Sequence, residues 1–231
     1  MAPRIIVSYD DTDNDRDALA LGRLLAHGGA DLSLAYVRHA QQDDPSRETQ
    51  SEKEAEALLE RGAESTGAPD LERHVVMNAS TGDGLLELAQ REKADLVVFG
   101  SDYRTAPGNV LPGTSAQRLL QGGRVAVAVA PADLRSRSSV SVSRIGVLAE
   151  DGDDAPETTA KSLAAALGAS VNDDPDEPAD RVVVGSREGA PEGRVELSAA
   201  AGYAVETATT PVIAVPRGKP VPFAEPALSG A

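Results

Sequence analysis

The chain has 231 residues, 41% of them hydrophobic and 26% charged, which is enough to bury the core of one large domain or two smaller ones. It contains no cysteine, which excludes disulfides and cysteine-ligated zinc and fits a reducing cytoplasm. A net charge of −15 repels nucleic acid and anionic membranes, so neither is expected as a partner. Because neither a signal segment nor a run of roughly 20 apolar residues is apparent, we expect a cytoplasmic protein.

Short apolar runs alternate with amphipathic segments between Arg4 and Pro131. The first run leads into a stripe of apolar residues at helical spacing that stops at Gly28. A charged helix is predicted over residues 47–66, and a shorter helix over residues 114–121. The strand-like runs are residues 5–9, 32–37, 74–77, 96–99 and 125–129.

This alternation predicts an α/β fold, because parallel strands need helical crossovers that cover both faces of the sheet. Residues 1–133 are therefore expected to form one complete domain, a doubly wound parallel five-stranded sheet of order 3-2-1-4-5. Ligands of such sheets bind at the carboxyl ends of the strands. That rule points to Asp10, to the end of the second strand near Val37, and to the loop after Gly100.

The pattern then begins again in a shortened form. Arg4 and Ile5 recur as Arg144 and Ile145, at a sequence offset of 140. The segment 95–101 recurs as 180–186 at an offset of only 85, with five of seven positions identical. The second copy thus lacks 55 positions, the difference between the two offsets, and the missing stretch corresponds to the second and third strands with their helices.

The boundaries follow from this repeat. Residues 134–143 are polar and are predicted to be a linker, in which Arg135 and Arg137 are solvated. Residues 144–216 form the truncated second copy with about three strands, and residues 217–231 form a flexible tail.

The loop of residues 100–115 leaves a strand and enters a helix, where backbone N–H groups favour an anion. Gly113 would allow close approach to the backbone, and Thr114 and Ser115 could add hydroxyl donors. Residues 108–115 superficially match a P-loop, but Thr114 stands where the lysine should be, so that motif is set aside.

In these features the chain resembles the universal stress protein family, which has an acid after the first strand and a G-x-x-G-x9-G-[S/T] loop after the fourth. Asp10, Gly100, Gly113 and Thr114 match that pattern. The resemblance implies a regulatory binding module that holds ATP, with Mg²⁺, or another adenine nucleotide in the first copy. The residues it implies are Asp10, Val37, Gly100, Gly113, Thr114 and Ser115.

Two positions depart from the family pattern, since Tyr103 replaces the second glycine of the loop and Asp11 replaces the usual glycine after the first-strand acid. In the second copy, Glu188, Ser198 and Ala199 replace Tyr103, Gly113 and Thr114, so no nucleotide is expected there. The acidic run after the first strand is interpreted as helix capping, and no metal ligand is assigned.

Strand five commonly forms the dimer edge in this family. We therefore expect the runs 125–129 and 212–215 to pair within the chain as a pseudo-dimer, which could assemble further. Two alternatives to the nucleotide-binding module remain: a scaffold that acts through a protein partner without nucleotide, and a slow ATPase. No catalytic residue is assigned, because no base is evidently placed to activate water.

Overall fold

The computed structural model describes residues 2–137, 142–172 and 178–223. We call residues 2–137 the first half and the other two ranges the second half. Within these ranges no helix is both long and apolar enough to cross a membrane. The first half contains β1 (Arg4–Ser8), α1 (Asp13–His27), β2 (Asp31–Arg38), α2 (Pro45–Ser65), β3 (Glu72–Met77), α3 (Thr81–Glu92), β4 (Leu96–Gly100), α4 (Thr114–Leu120) and β5 (Ala126–Ala130).

The second half repeats the alternation with fewer elements. After a single 3₁₀ turn at Leu134–Ser136, the chain enters a further strand. The elements are β6 (Arg144–Leu148), α5 (Ala155–Leu167), β7 (Ser170–Asn172), β8 (Arg181–Val184), α6 (Ala199–Thr207) and β9 (Val212–Ala214).

Local sequence explains where the long helices begin. Thr12 and Asp15 form a reciprocal capping box at the start of α1. Asp44 caps α2 and is followed by Pro45, whose ring suits the first helical turn. Ser80 accepts a hydrogen bond from the backbone N–H of Asp83 at the start of α3.

All nine strands form one sheet, in the order β3-β2-β1-β4-β5-β9-β8-β6-β7. Within the first half the neighbours are parallel, which confirms the predicted order 3-2-1-4-5. Within the second half the neighbours are parallel too.

Among the strands that the structure describes, the pair that joins the two halves is β5 with β9, and it is antiparallel. Ala128 lies opposite Ile213 at the centre of this pair, and Val127 and Val129 lie opposite Ala214 and Val212. The runs 125–129 and 212–215 are therefore adjacent in the sheet. Because the pairing is antiparallel, the carboxyl ends of the strands of one half lie at the same end of the sheet as the amino ends of the strands of the other half.

The second half differs from the prediction of about three strands. It has four, since the three-residue β7 pairs with the outer side of β6, with Val171 opposite Ile145. β7 follows α5 directly and therefore stands where the second strand stands in the first half. Relative to the predicted repeat, that strand is present in the described residues as Ser170–Asn172 and is not lost.

The segment just before the second half and the C-terminal end of the second half are packed against the protein, unlike the predicted linker and flexible tail. The polar linker of residues 134–143 begins with a 3₁₀ turn in which Leu134 is buried. The tail of residues 217–231 is predicted to be flexible, yet Val221 and Phe223 are buried. The backbone N–H of Val221 donates to Thr159 Oγ1 at 2.9 Å, which fixes this segment to α5. The rest of the predicted tail, residues 224–231, lies outside the described residues.

The core consists of two apolar layers, one on each face of the sheet. One layer packs α1, α2 and α5 against the sheet, and the other packs α3, α4 and α6. Each layer contains buried residues from both halves, such as Leu21 with Leu163 in the first and Leu119 with Val205 in the second. The core is thus continuous across the β5–β9 junction.

We predict that this continuity makes the two halves unfold together. Replacing the fully buried Ile213 with Ala removes packing at the junction and should lower the free energy of unfolding by about 2–5 kcal/mol. Thermal denaturation followed by circular dichroism should show one transition, at a lower temperature than in the wild type. Val75→Ala, at an exposed position on β3, is the matched control and should change the midpoint little. A second transition unaffected by Ile213→Ala would contradict a shared core.

Candidate functional site

The candidate site lies where three neighbouring strands of the first half end. β2, β1 and β4 are adjacent and parallel, so their carboxyl ends share one edge of the sheet. Asp10 follows β1, Val37 lies near the end of β2, and Gly100 ends β4. The loop from Gly100 then leads to Gly113 at the start of α4. The predicted residues therefore come from elements that converge at this edge.

Gly100 is explained by packing inside the protein. A Cβ atom at this position would lie 2.0 Å from the carbonyl oxygen of Asn14 in the first turn of α1. The Asn14 side chain also donates to the carbonyl oxygen of Ser101 at 2.6 Å. Glycine is needed here because the backbones of α1 and β4 approach too closely for any side chain.

Ser101, which the sequence reasoning did not assign, organises the loop. Its Oγ donates to the carbonyl oxygen of Ala130 at 2.7 Å and accepts from the N–H of Leu111 at 3.2 Å. The side chain is buried, so these bonds are shielded from water. One hydroxyl thereby joins the end of β4, the end of β5 and the returning loop.

The second half repeats these bonds at the sequence offset of 85. Ser186 Oγ donates to the carbonyl oxygen of Val215 at 2.8 Å and accepts from the N–H of Glu196 at 3.3 Å. Ser186, Val215 and Glu196 each lie 85 positions after their counterparts in the first half, which are Ser101, Ala130 and Leu111. The serine shared by the two copies of the repeated segment was the signal that could have identified this role.

Gly113 leaves room for a side chain at the start of α4. It is the N-cap residue, with extended backbone angles (φ −72°, ψ 173°) and no side-chain cap. The nearest atoms to a Cβ built there, both of Asp102, are 4.0 Å away. Thr114 is exposed and Ser115 is half-buried beside this space. Unlike Gly100, Gly113 is therefore not required by contacts within the protein.

The corresponding position of the second half is closed. Ser198 caps α6, and its own Oγ accepts the N–H of Ala201 at 3.1 Å. Ser198 lies 85 positions after Gly113. The serine hydroxyl caps α6, whereas the glycine has no side chain with which to cap α4.

Asp10 carries a carboxylate without a hydrogen-bond donor among the residues that the structure describes. Partial burial raises the pKa of Asp10, whereas the nearby His39 acts in the opposite direction. His39 follows β2, and its Nε2 lies 3.3 Å from Thr81 Oγ1 at the start of α3. His39 is a polar group at this edge that the sequence reasoning did not assign to the site.

Val37 can face a ligand only through its backbone. Its side chain is buried in the layer beneath α3, where a Cβ at Gly84 would lie 3.0 Å from Val37 Cγ1. The contact implied for Val37 is therefore restricted to main-chain groups near the end of β2.

Asp11 takes the backbone conformation that glycine adopts freely. Its φ is 57°, in the left-handed region that Asp tolerates better than most side chains. The Asp11 carboxylate accepts from Tyr9 Oη at 2.9 Å and pairs with Arg16 at 3.0 Å. Hydrogen bonds from Arg16 and Tyr9 lower the pKa of Asp11. Its negative charge is thus compensated locally.

Tyr103 does not occupy the space beside Gly113. The residue is 81% exposed, and the Arg104 guanidinium lies 5.4 Å from the centre of its ring. Asp11, Lys93 and Asp133 are the described non-glycine residues with positive φ, so the backbone at Tyr103 does not need glycine. Arg104 in turn pairs with Asp102 at 2.8 Å.

The other acids after β1 have structural roles. Asp15 completes the capping box of α1. Asp17 is almost fully buried and accepts the backbone N–H groups of Asp133 and Arg135 at 2.8 and 3.0 Å, which fixes the turn after β5 to α1. Among the residues that the structure describes, no group of three or more acidic or histidine side chains is arranged to hold a metal ion.

Comparison with known proteins adds a family. The model of the universal stress protein family matches residues 1–131. A universal stress protein from Archaeoglobus fulgidus DSM 4304 has a similar structure, with a TM-score of 0.67 and 16% identity over 93% of this chain and 98% of that one. A functionally unknown protein from Pseudomonas aeruginosa PAO1 gives a TM-score of 0.59 and 13% identity over 94% and 93%.

A universal stress protein solved in complex with cAMP is 23% identical, with a TM-score of 0.44, over 57% of this chain and 98% of that one. No curated protein sequence matches the chain.

The two glycines of the loop should respond differently to a methyl group. Gly100→Ala forces a clash between two backbones and should lower the free energy of unfolding by at least about 3 kcal/mol. Gly113→Ala places its Cβ in open space and should cost less than about 1 kcal/mol, the usual penalty of alanine at an N-cap. Chemical denaturation of both variants tests this, and equal losses would contradict the distinction.

Proposed function

This chain belongs to the universal stress protein family, and we propose that its first half binds an adenine nucleotide such as ATP at the carboxyl ends of β1, β2 and β4. The protein would act as a regulatory binding module and not as a turnover enzyme. The second half would serve as its intrachain partner. The proposal names Asp10, Val37, Gly100, Gly113, Thr114 and Ser115 as the residues of the site.

The observation that carries the proposal is the difference between the two helix caps. At Gly113 there is room for a side chain, with Asp102 4.0 Å from a Cβ built there, and two hydroxyl-bearing residues follow it. At the matching position of the second half, Ser198 uses the same space to cap its own helix. A glycine that internal packing does not require suggests that something outside the protein approaches the backbone there.

The roles follow from the polar groups that are free. The Asp10 carboxylate would accept hydrogen bonds from ribose hydroxyls or contact a nucleotide-bound Mg²⁺. Main-chain groups near Val37 would contact the adenine, and the Gly113–Ser115 segment would hold phosphate oxygens. Gly100 would act indirectly by letting α1 approach β4. Compensation of Asp11 by Arg16 reduces the repulsion between the acidic run and phosphate.

The second half would support this site as a shortened copy of the first. The bonds of Ser101 and Ser186 are equivalent at an offset of 85, the same offset as in the sequence. Strand order supports the copy as well, because β9-β8-β6-β7 corresponds to strands 5-4-1-2 of the first half. Pairing of β5 with β9 would then be an intrachain version of a dimer contact between equivalent edges.

A scaffold without nucleotide is the second candidate, and one surface feature favours it. Tyr103 is 81% exposed and stacks with Arg104, and these two residue types are common at the centres of protein interfaces. An ATPase has weaker support, because His39, the histidine beside Asp10, already contacts Thr81.

Calorimetric titration with ATP and AMP tests the nucleotide site. Wild type should bind one equivalent, and Gly113→Val should weaken binding at least about tenfold, because its branched side chain fills the space that the phosphate would enter. Gly202→Val is the matched control, since a Cβ at Gly202 also meets open space but lies on α6. Both variants should melt close to the wild type. Absence of heat from wild type at millimolar nucleotide would refute the proposal.

Tyr103→Gly separates the two candidates further. Because the tyrosine ring is turned to solvent, we expect this variant to bind nucleotide within about threefold of the wild-type affinity. Binding that appears only in Tyr103→Gly would instead identify Tyr103 as a block and favour the scaffold. The readout is the same calorimetric titration.

A further inference from the structure

A cavity of about 470 Å³ lies between the two halves, away from the residues of the nucleotide site. The first half contributes α1 and the turn after β5, and the second half contributes the end of α5 and the start of β8. The two helices meet here, since a Cβ at Gly28 would lie 3.3 Å from Leu167 Cδ2. We call this space the inter-half cavity. Its lining includes Arg23, Leu24, Leu134, Arg137, Leu167 and Arg181.

Arg181 is the unusual member of this lining. Its residue surface is only 1% exposed, so almost all of this long charged side chain is removed from bulk water. Nη1 donates to the carbonyl oxygen of Asp180, whereas Nε and Nη2 are buried without a hydrogen-bond partner. A buried cation with two unsatisfied donors costs stability, because its lost hydration is not replaced.

The fold itself does not require arginine at this position. Its counterpart at the offset of 85 is Leu96, which starts β4 and pairs with Ile5 just as Arg181 pairs with Ile145. Leu96 is fully buried, so the equivalent strand position is filled well by an aliphatic side chain. The arginine therefore serves a need that the framework of the sheet does not explain.

Positive charge around the cavity is not balanced by its lining, which contains no carboxylate among the described residues. Among the residues that the structure describes, the Arg137 side chain donates to the carbonyl oxygens of Thr209 and Gly108, both at 3.3 Å. The carboxylate of Asp180, next to Arg181, is held by the backbone N–H of Ser143 at 2.8 Å. Burial lowers the pKa of Arg181 to about 10, the charge of Asp180 opposes this shift, and Arg137 adds to it.

Arg135 also lines the cavity but is already paired. It contacts Asp17 at 3.1 Å and Asp13 at 3.2 Å, so its charge is neutralised on the side of α1. The cations left for a ligand are Arg137 and Arg181, with the exposed Arg23 at the margin.

The remaining walls are aliphatic. Leu24, Leu134 and Leu167 lie around the same space as the guanidinium groups of Arg137 and Arg181. A ligand suited to this lining has an oxyanion at one end, which guanidinium groups bind bidentately, and an apolar portion at the other.

We propose that the inter-half cavity binds an organic oxyanion, a carboxylate or phosphate monoester with a short aliphatic chain, whose charged group contacts Arg181 and Arg137. Such a ligand would place a negative charge beside the Arg181 guanidinium, whose buried Nε and Nη2 have no acceptor. Because it touches both halves, it would also stabilise their association by mass action. This site is separate from the proposed nucleotide site.

Titration of the full chain with hexanoate and hexyl phosphate in Tris chloride tests the proposal, with inorganic phosphate as the probe that lacks an aliphatic chain. Hexyl phosphate or hexanoate should bind saturably and more tightly than inorganic phosphate. Arg181→Leu should weaken this binding by about ten- to a hundredfold. ATP binding should stay at the wild-type affinity in this variant, which keeps the test independent of the nucleotide site.

The stability of Arg181→Leu gives a second readout. In buffer free of oxyanions the variant should melt at or a few degrees above the wild type, because the leucine matches Leu96 and removes an unsatisfied buried charge. A lower midpoint in that buffer would show that Arg181 is structural and would overturn the proposal.

Two further variants guard against misfolding effects. Arg137→Gln changes an exposed residue of the lining and should also weaken binding about tenfold. Arg124→Gln, which is also at an exposed position but outside the inter-half cavity, should leave the affinity for the organic probes unchanged. Undetectable binding of both organic probes, or equal affinity in all variants, would refute the site. Equal affinity for inorganic and hexyl phosphate would refute the aliphatic part of the ligand.

Discussion

The pairing of β5 with β9 is the contact on which the rest of this structure depends. β5 is composed only of alanine and valine, and every residue in it is buried. As an outer strand it would expose a row of unpaired backbone groups flanked by apolar side chains, a surface prone to association. β9 covers that edge and makes each of the two apolar layers continuous between the halves. The second half is too small to bury much core alone, and the same contact supplies what it lacks.

This arrangement explains which strands a shortened half can lose. β4, β5 and their counterparts β8 and β9 lie next to the junction, and β1 and β6 lie beside them. The outer positions, held by β2 and β3 in the first half, contribute least to the contact between halves. Among the described residues, the second half has the three-residue β7 at these outer positions.

Much of the fold was accessible from the sequence, because periodicity and internal repetition report directly on strands and their order. The strand order of the first half and the equivalence of segments 95–101 and 180–186 are examples. The details that were missed depend on tertiary contacts. In the sequence, Val221 and Phe223 belong to a proline-rich segment that is predicted to be flexible. In the structure both are buried, and the Val221 backbone donates to Thr159 of α5.

The candidate site shows the same division. Its residues were predicted from the ends of the strands and from the family pattern, but neither could distinguish Gly100, which lets two backbones meet, from Gly113, which leaves room for a side chain. Nor could they reveal that Arg16 compensates Asp11, since that pairing depends on how α1 is oriented after the left-handed turn.

Two pairs of positions carry different residues in the two halves although the backbone around them is similar. The hydroxyl bonds of Ser101 and Ser186 hold both loops in the same way, so the backbone does not depend on the residues that vary around them. Within that shared framework an open cap at Gly113 faces a serine cap in the second half, and a buried leucine at Leu96 faces Arg181. At each of these positions, one half has an uncapped helix start or an unsatisfied buried group and the other half does not. Because such groups lower stability, we attribute their asymmetric placement to the two proposed ligands.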